Sequence, residues 1–175
     1  IYRFMVANPE LLSDGPNPEH ALVRVATMLR YLGAPVTDLA PRLHLGDVQR
    51  EAAAAWLLAH GIPPGVSLVG MHPGASIQKK CWPARNFAAA ARALLGDDVA
   101  RRLLLTGSRG ERALCEDIRQ ACGAPERVVN AAGELPLTTL PAVLERVTWF
   151  LVNDTGVAHV AYAMGTPSLT LFWRS

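Results

Sequence analysis

From residue 66 onward, short apolar runs alternate with helix-forming stretches, and this alternation constrains the fold more than any other feature of the chain. The apolar runs are residues 66–71, 103–106, 127–130, 149–153 and 168–172. Between them, residues 83–95, 111–121, 137–146 and 155–164 carry apolar positions at helical spacing. Nearly continuous apolar strands are covered on both faces, and strands that alternate with helices are joined by right-handed crossovers. The expected fold class is therefore α/β, a doubly wound parallel sheet of Rossmann-like type. Numbering the five strands in chain order, the expected spatial order is 3-2-1-4-5.

The part before residue 62 reads differently. Pro9, Gly15, Pro16 and Pro18 punctuate the first stretch. Asn17-Pro18-Glu19 reads as a helix start with proline at the first helical position. Leu22, Val25, Ala26, Leu29 and Leu32 then form a helical stripe closed by Gly33. Residues 35–45 read as an extended connector. Asp47 is placed as the cap of a second helix reaching His60 and ended by Gly61. Two segments are expected: 1–61, leading helices and an interdomain segment, and 62–175, a Rossmann-like domain.

Composition limits the functions open to such a fold. Of 175 residues, 50% are hydrophobic and 18% charged, which suits one domain with a packed core. The net charge is +2, without a basic run, and only 6% of residues are aromatic, so a nucleic-acid surface is not expected. No uncharged apolar stretch approaches the ~18 residues a membrane-spanning helix needs. The chain starts at Ile1 without a charged-then-apolar leader, and is expected to be a piece of a longer protein. Cys81, Cys115 and Cys122 are too widely spaced for a zinc knuckle and are read as free thiols of a reducing compartment. The five histidines form no pair four residues apart, and no protein-bound metal is expected.

In an open parallel sheet, ligands bind beyond the carboxyl ends of the strands where the strand order reverses. Here that lies between the first and fourth strands, which end in His72-Pro73-Gly74-Ala75-Ser76 and Asn153-Asp154-Thr155-Gly156. Asp154-Thr155-Gly156 opens a helix, whose free N–H groups and positive dipole end favour anions. Gly156 permits close approach, and Asp154 either caps the helix or accepts hydroxyl hydrogen bonds. His159 lies about one and a half turns in, with a side chain leaning back toward the N-terminus. Gly74-Ala75-Ser76 offers backbone N–H groups but matches neither G-x-G-x-x-G nor the Walker pattern. Lys79 and Lys80 follow; on charge alone both read as solvated surface lysines. Trp82 reads as a lid on the core. Glu111 stands near the end of the second strand, where an acid can meet ribose hydroxyls or merely favour a helix start. No Ser/His/Asp or Cys/His signature is present. Spacing alone gives a phosphate- or nucleotide-binding α/β domain.

Several of these segments, taken in order, resemble glycosyltransferase family 9, the ADP-heptose:lipopolysaccharide heptosyltransferase family. They are His72-Pro73-Gly74-Ala75, Lys80-Cys81-Trp82-Pro83 and Asn153-Asp154-Thr155-Gly156-Val157-Ala158-His159, continued by Ala161, Ala163, Gly165 and Pro167. The resemblance spans about residues 21–172. It departs from the family pattern at Tyr162, at Gly107-Ser108-Arg109-Gly110, and at Leu135, where some members carry methionine.

The resemblance implies one half of a GT-B architecture, the half that binds the nucleotide sugar. The acceptor-binding half, with the general base, would lie outside this chain, as would the family's closing helices. It implies no catalytic residue here, and donor-binding roles for Gly74, Ala75, Lys80, Glu111, Leu135, Asp154, Thr155, Gly156 and His159. Lys80 would neutralise donor phosphate. Thr155 and Gly156 would hold the diphosphate, Asp154 and His159 would face sugar and phosphates, Glu111 the ribose, and Leu135 the adenine. The donor implied is ADP-heptose, with no metal or other cofactor. The acceptor would be a lipopolysaccharide core or similar glycan, or a lipid-linked one, at the cytoplasmic side of the membrane. Two alternatives stay open: a non-catalytic nucleotide-sugar-binding module, and another GT-B enzyme such as a sugar-nucleotide epimerase.

Overall fold

The computed structural model describes residues 2–6, 21–36, 38 and 40–173; the expected punctuation at Pro9, Gly15, Pro16 and Pro18 and the helix start at Asn17-Pro18-Glu19 lie outside them. The five apolar runs form strands β2 (Leu68–His72), β3 (Arg102–Leu105), β4 (Val128–Asn130), β5 (Trp149–Asn153) and β6 (Ser168–Trp173). They lie side by side as β4-β3-β2-β5-β6, all parallel, which is the expected order 3-2-1-4-5. A sixth strand, β1 (Tyr2–Val6), runs antiparallel along β6 from Tyr2 opposite Trp173 to Val6 opposite Leu169.

Within each run the residues still alternate between two apolar layers. Val69, Met71, Leu103, Leu105 and Leu151 face one layer, with Phe87, Ala91 and Leu95 of α3 (Ala84–Gly96) and Cys115 and Ile118 of α4 (Arg112–Ala121). Leu68, Leu104, Phe150 and Val152 face the other. That layer is completed by Leu57 of α2 (Asp47–Ala59), by α5 (Leu140–Leu144), and by Ala158 and Ala161 of α6 (Gly156–Ala163). Each fully buried Leu or Phe contributes about 1.5–3 kcal/mol relative to exposure. Gly70 is opposite Phe150 in the β2–β5 register. A Cβ there would fall 2.6 Å from the Phe150 ring, so the glycine makes room for the largest side chain of this layer.

Several expected elements are shifted. The helix expected over 137–146 contracts to α5, all five of whose residues are buried. Leu137 is exposed, and Pro141 sits in the first turn, where its missing N–H costs no helical bond. Asp47 is the first helical residue of α2 rather than its cap; Gly46 takes the cap position, and its N–H donates to Gln49 Oε1 at 3.0 Å. The first helix, α1 (Ala21–Tyr31), buries Ala26 but leaves Val25 and Leu29 exposed, as is Leu32 just beyond it, so these positions of the expected stripe do not face the core. The described residues of the connector before α2 form no helix or strand, and Leu43 donates its N–H to the Ala163 carbonyl at the end of α6.

Candidate functional site

β2 and β5 are direct neighbours, with His72 in register with Val152, so the chain leaves both strands side by side at their carboxyl ends. This is where the strand order reverses, and three loops converge there: the one after β2, the one after β3, and the turn from β5 into α6.

Asn153, the last residue of β5, is fully buried. Its amide nitrogen donates to the carbonyls of Pro73 (2.7 Å) and Gly74 (3.4 Å), and its Oδ1 accepts the Trp82 N–H at 3.1 Å. One side chain thus joins the loop after β2 to the turn that precedes α3. Trp82 packs against the first apolar layer, its ring edge-to-face with Phe87 at 5.2 Å, which agrees with its reading as a lid.

Lys80 ends a single 3-10 turn, Gln78–Lys80. Its Nζ donates to Asp154 Oδ2 at 2.5 Å, with the two side chains 35% and 29% exposed. Lys79 beside it is exposed. The structure therefore separates two lysines that charge alone could not distinguish: Lys80 is aimed at the end of β5.

Asp154 is not the cap of α6. Thr155 occupies that position in an extended conformation, with no side-chain cap bond, and its Oγ1 is buried without a hydrogen-bond partner. Asp154 is instead committed to Lys80. The first N–H groups of α6 are thus left without a side-chain acceptor, the condition under which a helix end attracts an anion. Gly156 is exposed, and a Cβ there would meet no atom within 4 Å, so the space in front of this helix end is open. His159 is exposed on the same helix, its ring edge-to-face with Tyr162 at 5.9 Å. The Tyr162 hydroxyl bonds the Thr170 hydroxyl, and burial raises its pKa.

Glu111 approaches from the loop after β3. Ser108 donates to its Oε2 twice, from N–H (2.6 Å) and from Oγ (2.8 Å). The carboxyl lies tight against the β2 loop: a Cβ on Gly74 would fall 1.8 Å from Oε1. Gly74 is required here by contact, not by φ. Ala75 is half-buried, and its carbonyl receives a weak contact from the Cys81 thiol at 3.9 Å. Leu135 is two strands away, in the loop after β4, packed against the second layer. Beside it, Glu134 pairs with Arg112 (2.8 Å) and His60 (3.2 Å) along a groove of about 340 Å³.

Two residues matter that lie in the loops quoted for the site but to which sequence reasoning assigned no role there. Asn153 is one. The other is His72, buried, with Nδ1 at 3.0 Å from Thr106 Oγ1. Burial pushes its pKa below the ordinary histidine value, partly opposed by the Glu111 carboxylate, so the ring is neutral at pH 7. The three cysteines are free, and burial lifts Cys115 to about 12, which makes it an inert core thiol. Among the described residues no group of three or more His, Cys, Asp or Glu is arranged to hold a metal, and no helix is long and apolar enough to cross a membrane.

Fold and site define a class: an α/β domain with an uncapped helix end and a lysine at the switch point of a doubly wound sheet. Within it, residues 13–175 match the model of glycosyltransferase family 9 (heptosyltransferase), and the chain belongs to that family. It is 32% identical over 110 residues to the lipooligosaccharide heptosyltransferase 2 of Haemophilus influenzae, covering 60% of this chain and 31% of that protein. It is 30% identical over 108 residues to the lipopolysaccharide heptosyltransferase 3 of Escherichia coli, covering 62% and 32%. The crystal structure of the glycosyl transferase family 9 from Veillonella parvula matches with a TM-score of 0.72 at 23% identity, over 88% of this chain and 43% of that one. E. coli ADP-heptose lps heptosyltransferase II matches at 0.66 and 22%, over 77% and 40%. E. coli heptosyltransferase WaaC with ADP-2-deoxy-2-fluoro heptose matches at 0.58 and 18%, over 88% and 45%. At these identities the structures share the fold. The chain spans about a third of the length of the curated relatives it matches.

Proposed function

We propose that this chain is the donor-binding half of an inverting glycosyltransferase of GT-B architecture, taking a nucleotide sugar for transfer to a lipopolysaccharide core or similar glycan. The observation that carries the reading is the uncapped N-terminus of α6 with Lys80 beside it at the strand-order switch point. ADP-heptose is the donor proposed, in keeping with the ADP-sugar analogue held by a protein of the same fold.

In this scheme the diphosphate lies on the first N–H groups of α6, with Thr155 and Gly156 against it and Lys80 as its counter-charge. Gly74 and Ala75 form the facing wall. The ribose hydroxyls reach Glu111 through Oε1, the oxygen that Ser108 leaves free, and the adenine lies toward Leu135. Asp154 and His159 face the sugar. The acceptor hydroxyl attacks the anomeric carbon while the bond to the diphosphate oxygen breaks, inverting the centre. Its proton passes to a base of the acceptor-binding half, and the electron pair leaves on the diphosphate. Lys80 and the α6 dipole meet the growing charge, so the scheme uses no metal. The reaction is placed at the cytoplasmic side of the membrane that carries the acceptor.

Calorimetric titration of the chain with ADP, ADP-heptose, and UDP- and GDP-sugars tests this reading. The adenine compounds should bind, the others more weakly, and no sugar should be transferred by this chain to any acceptor. Absence of binding to every nucleotide would overturn it, as would turnover by this chain alone.

A further inference from the structure

Among the described residues, two side chains carry strong polar bonds from the sheet to the segment that holds Lys80, and they differ in kind. The 3-10 turn is closed locally, by Lys80 N–H to the Ile77 carbonyl (2.9 Å) and Cys81 N–H to the Gln78 carbonyl (3.0 Å). Beyond these and the weak Cys81 thiol contact, its polar anchors are Asp154 on the Lys80 ammonium and Asn153 on the Trp82 N–H. The Asp154 pair is ionic and part-exposed, and an incoming anion competes with it. The Asn153 contact is neutral and part-buried, made by a side chain that is itself fully buried, so an incoming anion has no charge there to compete for.

The chemistry at Asn153 admits one side-chain type. Two carbonyls, of Pro73 and Gly74, require donors, while the Trp82 N–H requires an acceptor, all within reach of one short side chain. An amide meets both demands, and its orientation is fixed by them. A carboxylate would turn two of these contacts repulsive, and an apolar side chain would leave buried backbone groups unpaired. The same amide touches Gly74, whose neighbour across the cleft is the Glu111 carboxyl.

Building on the function proposed above, we infer that Asn153 is a positioning residue for the anion site: its buried amide fixes the 80–83 turn against the β2 loop and so aims Lys80 at the N-terminus of α6. Asp154 yields to the ligand; Asn153 holds the lysine's backbone in place whether or not a ligand is present.

The test is a double-mutant cycle read by calorimetry with ADP as the probe, using Asn153→Ser and Lys80→Ala. If Asn153 acts through Lys80, Asn153→Ser should weaken ADP binding about tenfold in the parent but less than about twofold in the Lys80→Ala background. A merely structural role lowers the melting temperature and gives equal losses in both backgrounds, which would overturn the inference. So would a folded Asn153→Ser protein that binds ADP like the parent. A second measurement needs no variant, and so covers an Asn153→Ser protein that fails to fold. The Trp82 amide should be protected from hydrogen exchange without ADP and equally protected with it. Exchange at the rate of an open loop amide would also overturn the inference. If the parent binds no ADP while the Trp82 amide is protected, the proposed function fails and the Asn153 bridge stands as architecture alone.

Discussion

Replacing Lys80 by alanine separates the two roles this residue could have, because the structure sets different magnitudes for each. In the free protein Lys80 contributes an ion pair to Asp154 with both side chains about one-third exposed. Pairs of that kind are worth about 0.2–1 kcal/mol. For a chain of this size 1 kcal/mol moves the melting temperature by about 2–4 °C, so Lys80→Ala should lower it by no more than that. A charge-assisted bond to a diphosphate is worth about 1.5–3 kcal/mol. Part of this is offset, because Lys80 must give up Asp154 when the anion arrives. The net loss on Lys80→Ala should be about 1–2 kcal/mol, a five- to thirtyfold weaker dissociation constant for ADP. Asp154→Asn should act in the opposite sense: it removes the competing carboxylate and should tighten ADP binding by up to about fivefold. Lys79→Ala, on an exposed neighbour, should change affinity less than twofold. The assay is calorimetric titration with ADP at low and moderate salt, paired with melting curves. Equal and small effects for Lys79→Ala and Lys80→Ala would refute the assignment.

Three further outcomes follow from the geometry. Gly156→Val should leave the melting temperature nearly unchanged, since a Cβ there meets nothing within 4 Å, while sharply reducing ADP affinity by blocking the helix end; retained affinity in titration would contradict this. Gly74→Ala should destabilise by about 1–2 kcal/mol, because Glu111 can withdraw only by releasing its Ser108 bonds. In the Gly74→Ala/Glu111→Ala pair, denaturant titration should show the two losses to be non-additive. His72 is held neutral by burial, with its pKa below the ordinary 6.5. The unfolded chain then binds a proton that the folded one does not, so stability is full above pH 6.5 and falls as the pH is lowered past it. Melting curves of His72→Asn should lack that component; parallel pH dependences would count against it.

The fold was legible because each parallel strand is a largely apolar run between turn residues, and because parallel strands joined through helices admit few orders. The 3-2-1-4-5 order and the meeting of the β2 and β5 loops both follow from that pattern. What was hidden depended on contacts rather than on local sequence. β1 was missed because its partner, β6, is more than 150 residues away, and a five-residue run before a proline-rich stretch carries little periodic signal. Leu137 has the spacing of a helix residue, but Pro141 and the burial of 140–144 move the helix start inward. Asp154 reads as a cap by type, yet the salt bridge to Lys80 leaves the cap position to Thr155. Asn153 stands at the head of the segment quoted for the site, but nothing in that segment assigns it a role; its importance comes from three backbone groups that the fold brings within its reach.

The measurement that bears most directly on the central claim is the map of backbone amide shifts on adding ADP to the labelled chain. If the N-terminus of α6 takes the diphosphate, the largest changes should fall on the amides of Gly156 and Val157, with smaller ones at Ala158, whose N–H already bonds the Thr155 carbonyl, and at Gly74, Ala75 and Lys80. They should be reduced by Gly156→Val and reproduced in part by inorganic pyrophosphate. Changes confined to the groove lined by His60, Arg112, Glu116 and Glu134, with the α6 amides unmoved, would contradict the account.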